Sequence, residues 1–211
     1  MQSCGPNTLL MLLRCKSASW PRADPGFIAP IGEQNGEQMT LPVGARAHRR
    51  ADGRVEGVLT RDFPHSADKV WAHLTAPELL PLWLAEGRVE SRLDGFARLD
   101  FGQSGSAIDS RVTQAIPLQA LDYSWSGPGE PERPLRWRLR AVGPAETRLL
   151  LSVTTPEADD PARALAGWDA HLEMLAAALE GVPIKFPFQH FQAVRAALSA
   201  ELRQGELLAA R

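Results

Sequence analysis

Five histidines, one tyrosine and six tryptophans are the side chains of this 211-residue chain best suited to hold or transform a small molecule. The histidines are His48, His65, His73, His171 and His190. No two are three or four residues apart, so no helical pair is spaced to grip a metal ion. His171 falls one helical turn after Trp168 and so reaches toward whatever that tryptophan lines. An imidazole there can orient a ligand or act as an acid or base near neutral pH. The plainer reading is a flanking histidine bonded to water or backbone.

Tyr123 shares a strand face with Leu121 and Trp125, which points its hydroxyl inward, and a buried hydroxyl needs a partner. Arg111 offers one, and would suit a ligand carboxylate if it faced inward. Its register is open, because Ser110 and Val112 fit either face. Arg136, Arg138 and Arg140 make an outer basic stripe, either a solvated sheet face or a surface for an acidic partner. Trp71 reads as core. Trp83, Trp125, Trp137 and Trp168 are candidates for a cavity wall, and each buries about 150–250 Å2, roughly 4–6 kcal/mol of transfer free energy. No phosphate-binding glycine loop, metal-spaced cysteine pair or nucleophile elbow is present. Gly102-Gln103-Ser104-Gly105 reads as a turn.

Composition narrows the class. With 23 Lys+Arg against 25 Asp+Glu, the net charge of −2 gives no footprint for nucleic acid. No apolar run approaches the roughly 20 residues of a membrane span. Two cysteines, Cys4 and Cys15, exclude a disulfide scaffold. The apolar run Leu9–Leu13 is too short for a secretory signal and no basic residue precedes it, so a cytoplasmic location is expected. Residues 1–38 are broken by prolines and glycines. They are expected to be either sequence upstream of a true start at Met39 or a disordered tail. The expected domains are an extension over 1–44, a folded body over 45–185 and an extra amphipathic helix over 186–211.

These residues need particular elements to position them. Val55–Phe63 reads as a first strand. Ser66 caps a helix with Val70, Trp71 and Leu74 on one face. Pro77 opens a second short helix that Pro81 shortens or bends. Strands follow at about 87–93, 96–102, 107–116, 119–125, 135–142 and 147–155, with Asp94-Gly95 as a hairpin signal. Asp160 and Pro161 start a long helix that Gly181 and Pro183 stop. Its stripe is Leu165, Trp168, Leu172, Leu175 and Leu179. A last amphipathic helix over 188–208 carries Phe191, Val194, Leu198 and Leu202. Strand, two short helices, six strands and a long helix give an α+β fold. Its curved antiparallel sheet of about seven strands wraps the long helix.

The opening motifs are Arg61-Asp62-Phe63, Val70-Trp71, Leu74-Thr75, Pro77-Glu78-Leu79 and Trp83-Leu84. With Leu121–Trp125, Thr147–Leu151 and Gly167-Trp168, they resemble bacterial START-like (SRPBCC) proteins. The nearest branch is similar to the C-terminal domain of the activator of heat-shock protein 90 ATPase, over about residues 54–182. The resemblance implies the helix-grip fold shared with birch-pollen allergens, with an apolar cavity between long helix and sheet. Relatives bind lipids, polyketides or hormones, and a few catalyse cyclisation or dehydration. The expected role is therefore non-catalytic binding of a small hydrophobic or amphipathic molecule, with no cofactor and no metal. The expected ligand-binding set is Trp83, Arg111, Tyr123, Trp125, Trp137, Trp168 and His171. One alternative is a cyclase or dehydratase using His171 or Tyr123. The other is a co-chaperone-like interaction module, with a filled interior and an exposed apolar patch near 188–208. Residues 1–54 are too short to be the chaperone-contacting domain of the eukaryotic protein.

Overall fold

A computed structural model describes residues 39–40 and 45–209. The expectation for residues 1–44 falls outside these apart from Met39 and Thr40.

Alternation of apolar and polar side chains builds the sheet. Among the described residues there are nine antiparallel strands: β1 (Met39–Thr40), β2 (Ala45–Arg49), β3 (Val55–Phe63), β4 (Glu86–Val89), β5 (Phe96–Asp100), β6 (Ile108–Ile116), β7 (Ala120–Ser124), β8 (Pro134–Gly143) and β9 (Glu146–Thr155). Their order is β1-β2-β3-β9-β8-β7-β6-β5-β4, so the chain's first long strand pairs with its last. On β8, Leu135, Trp137 and Leu139 are buried while Arg136, Arg138 and Arg140 face outward. The two strands beyond the expected seven are β1 and β2. Ala45 and Ala47 alternate with charged residues there, a pattern too weakly apolar to announce a strand, yet both alanines are buried against β3.

Helix α1 (Ala67–Thr75) starts where the Ser66 hydroxyl accepts the Lys69 N–H. The second short helix is instead a single 3-10 turn, Leu80–Leu82. Pro81 has no N–H to donate back to Pro77, so an α-helical turn cannot propagate through it. Helix α2 (Pro161–Leu179) opens on Asp160, whose carboxylate accepts the Arg163 N–H at 3.0 Å. It ends at Gly181, which takes φ +76° and returns its N–H to Ala178. All five stripe residues of α2 are buried. The helix approaches the sheet so closely that a Cβ on Gly57 would overlap the Leu165 side chain.

Helix α3 (Phe188–Ala209) packs on α2, burying Val194 and Leu198. The rest of the core lies between α2, α1 and the concave sheet face.

Candidate functional site

The α2 stripe and the alternation on β7 and β8 aim four tryptophans at one another. Trp83 follows the 3-10 turn and meets Trp137 edge-on, with ring centroids 6.1 Å apart. Trp137 meets Trp168 at 5.5 Å, and Trp168 meets Trp125 at 4.7 Å. Trp125 in turn meets Phe101 at 5.5 Å. All four contacts are edge-to-face, the favoured arrangement of aromatic quadrupoles. Trp83 and Trp137 are each 1% exposed and Trp168 4%, whereas Trp125 and Phe101 are half-buried. The run therefore climbs from the core to the surface. It emerges at an open groove of about 410 Å3 lined by Leu84, Ala85, Glu86, Asp100, Phe101 and Gly102.

His171 belongs to the same neighbourhood. Its ring lies 5.7 Å from Trp168 and 5.5 Å from Phe186. Its Nδ1–H donates to the Trp83 carbonyl at 3.3 Å. Burial pushes its pKa below 6.5, and the weaker pull of the Trp83 carbonyl does not restore it. The imidazole is thus neutral at neutral pH. Tyr123 is buried on the inner face beside Trp137, and burial raises its pKa far above the usual 10 despite the opposing Trp137 indole. Trp83 Nε1–H donates to the His73 carbonyl at 2.8 Å. Trp137 Nε1 is buried and makes no hydrogen bond.

Six of the seven expected residues come together in this way. Arg111 does not. The inner position is taken by Val112, and a bulge between Val112 and Gln114 closes the register that the sequence left open. Arg111 is exposed instead, its guanidinium 5.6 Å from the Phe96 ring. The basic stripe is internally neutralised in part: Arg136 pairs with buried Glu56 at 3.4 Å and Arg138 with Asp122.

Two features lay beyond sequence reasoning. Phe101 is the outermost ring of the run among the described residues; it continues the inward alternation of Ala97 and Leu99, which the sequence reading did not use. Asp169 on α2 is fully buried and joins Arg61 of β3 to His190 of α3, whose Nε2–H donates at 2.6 Å. An acid inside an apolar helix was the available signal. Arg61 also lines a second open groove of about 370 Å3, with Phe63, His65, Glu173 and Ile184. Among the described residues no cluster of His, Cys, Asp and Glu is arranged to hold a metal ion, and no helix is long and apolar enough to cross a membrane.

A curved antiparallel sheet closed on a long helix, with two short elements after the first long strand, is an α+β domain of the SRPBCC helix-grip class. The chain belongs to the family described as Activator of Hsp90 ATPase homolog 1-like protein, which matches residues 64–180. No curated protein matches it. Among solved structures it is similar to CalU16 from Micromonospora echinospora, at 22% identity and TM-score 0.57, over 77% of this chain and 92% of that one. It is also similar to a conserved protein, EF2215, from Enterococcus faecalis, at 20% identity and TM-score 0.59, over 74% of this chain and 91% of that one. DynU16, described as a protein in the dynemicin biosynthetic locus, shares 29% identity at TM-score 0.53, over 60% of this chain and 48% of that one. At such identities the first two matches speak for the fold alone.

Proposed function

We propose that the protein binds a small hydrophobic or amphipathic molecule against the aromatic run and does not transform it. The observation that carries this is the unbroken line of ring contacts from the Phe101 groove to Trp137 in the core. The groove of about 410 Å3 is in the size range of small-molecule sites, and Phe101, the outer ring of the run, is part of its lining. Trp125 and Phe101 are half-buried, while Trp168 and Trp137 are buried in the core. The location of DynU16 in a biosynthetic locus supports a small organic ligand. Tyr123 supports binding over acid–base chemistry, because it holds its proton far above neutral pH. His171 gives its Nδ1–H to the Trp83 carbonyl, which fixes the ring and leaves Nε2 to accept from a ligand donor.

The test is a titration of Nile red, an uncharged apolar dye, followed by its emission and by quenching of tryptophan fluorescence. Saturable uptake is expected, weakened about tenfold or more by Trp125→Ala through loss of contact area. Absence of uptake would overturn the proposal.

A specific observation also favours an interaction module. Val182, Ile184, Phe186 and Phe188 are all exposed in the short stretch between α2 and the first turn of α3. If this stretch docks on a chaperone, added protein raises the turnover of a heat-shock protein 90 ATPase. Phe186→Ser with Phe188→Ser then abolishes the effect. An unchanged rate with wild-type protein contradicts this second reading.

A further inference from the structure

Between α2 and α3 the chain runs through Val182-Pro183-Ile184-Lys185-Phe186-Pro187. Gly181, at φ +76°, turns it off α2, and the Val182 N–H still returns to the Ala177 carbonyl. From Pro183 to Pro187, no hydrogen bond or ion pair joins it to α2 or to the sheet among the described residues. The two prolines have no N–H to give. What seats the segment is a ring. Phe186 packs edge-on against His171, with centroids 5.5 Å apart, and also against Phe191 of α3 at 5.6 Å. A segment held by side-chain packing alone belongs to the part of a structure that opens most readily.

His171 is enclosed by that ring. Trp168 lies behind it, 4% exposed, and Phe186 lies in front of it, 37% exposed. The Nδ1–H is given to the Trp83 carbonyl, so a second proton must go to Nε2. Nothing around the imidazole compensates a charge. On α2, Asp169 and Glu173 face Arg61, and on α3, His190 gives its proton to Asp169. On α1, His73 faces the Lys69 carbonyl and Lys69 faces His65. The 3-10 turn and Trp83 carry no charged side chain, and Lys185, beside Phe186, is itself a cation. Burial and the Trp83 carbonyl are the two influences on the ring, and burial is the larger.

We propose that residues 182–187 are a strap that acid opens: a proton on His171 drives the Phe186 ring off the imidazole and uncovers Trp168 behind it. A charge without a partner is penalised while the ring stays enclosed, and water admitted by the departing Phe186 removes that penalty. The closed strap disfavours the charged ring, so by linkage the charged ring disfavours the closed strap. Above pH 6.5 the ratio of open to closed chains is constant. Below it, the ratio rises by at most about tenfold per pH unit, until the enclosed ring itself accepts the proton. This opening needs no bound ligand. The α3 helix stays docked, since Val194, Leu198 and the Arg195–Asp160 pair lie beyond the strap.

The test uses the full chain with 4-fluorophenylalanine in place of Phe186. Its fluorine resonance is followed between about pH 7.5 and 5, beside the imidazole resonances of His171. On acidification the fluorine signal is expected to move toward that of the free amino acid. Its shift between light and heavy water is expected to grow toward the value of a fully exposed ring. Both changes share the midpoint of His171, which lies below 6.5. His171→Gln abolishes the step, whereas His65→Gln, at the histidine beside Ile184 of the strap, leaves it in place. In the reciprocal measurement, Phe186→Ala moves the His171 midpoint up toward 6.5. Phe188→Ala leaves it where it is, because that ring packs on Phe191. A fluorine signal that ignores the protonation of His171 overturns the proposal. So does a step without the heavy-water effect, in which the ring senses the charge and does not move. A His171 midpoint untouched by Phe186→Ala overturns it as well.

Discussion

The buried side chain of Asp169 ties α2 to β3 and to α3. It is fully buried and accepts from Arg61 on one oxygen and His190 on the other. Asp169→Ala leaves Arg61 with Glu173 at 3.6 Å and His190 partly open to water. The expected loss is about 1–3 kcal/mol in urea unfolding, the range for losing hydrogen bonds to a charged group. A loss under about 1 kcal/mol would mean that the three groups reorganise freely. His171 gives a prediction in pH. Its folded pKa lies below 6.5, so the unfolded chain binds its proton first as pH falls. Stability from this residue is complete above 6.5 and declines as pH drops from there toward the lower folded value. His171→Gln should flatten that decline in a series of thermal melts between about pH 5 and 7. An identical slope in the variant would remove His171 as its source.

The residues that sequence alone could place were those fixed by a period. Trp137, Tyr123 and Trp168 follow from alternation or from the helical stripe, and the structure brings them together. Arg111 did not follow, because a single bulged residue decides which face a strand position takes. The unpartnered N–H of Trp137 is invisible to any pattern, since it depends on what stands a few ångströms away in three dimensions.

At the scale of elements, the grip of α2 on the sheet is the feature that shapes the site. Gly57 permits it by leaving room for Leu165. Gly57→Val should destabilise the protein by about 1–3 kcal/mol through overpacking, and should displace α2 outward. Gly167 makes the control. It lies in the middle of the same helix with open space where a Cβ would go. Gly167→Ala should raise stability by about 0.5–1 kcal/mol from helix propensity alone. A stabilising Gly57→Val, measured beside Gly167→Ala by thermal unfolding, would contradict the close approach. Element bounds were largely legible: α2 begins at the Asp160-Pro161 signal and ends at Gly181. Strands β1 and β2 at one end of the sheet were not, β2 because its inward alanines carry little hydrophobic signal. The turn at Leu80–Leu82 shows a proline overruling a run of leucines.

For the whole molecule, a helix-grip frame presents an aromatic run that starts at an open groove and ends at two buried polar groups. The frame itself was readable from the order of elements, because a long single-striped helix has one sheet face on which to bury its apolar side. Whether the interior is open or filled was not readable. Four tryptophans serve equally as cavity wall or as packing, and the choice is set by ring orientation. The central claim is that this interior takes up a small apolar molecule. Native mass spectrometry of the full chain, purified from its own host and again after incubation with Nile red, tests it most directly. The account predicts a mass excess of one small organic molecule, lost on solvent extraction, or one bound dye per chain on the emptied protein. The bare chain mass in both samples would contradict it.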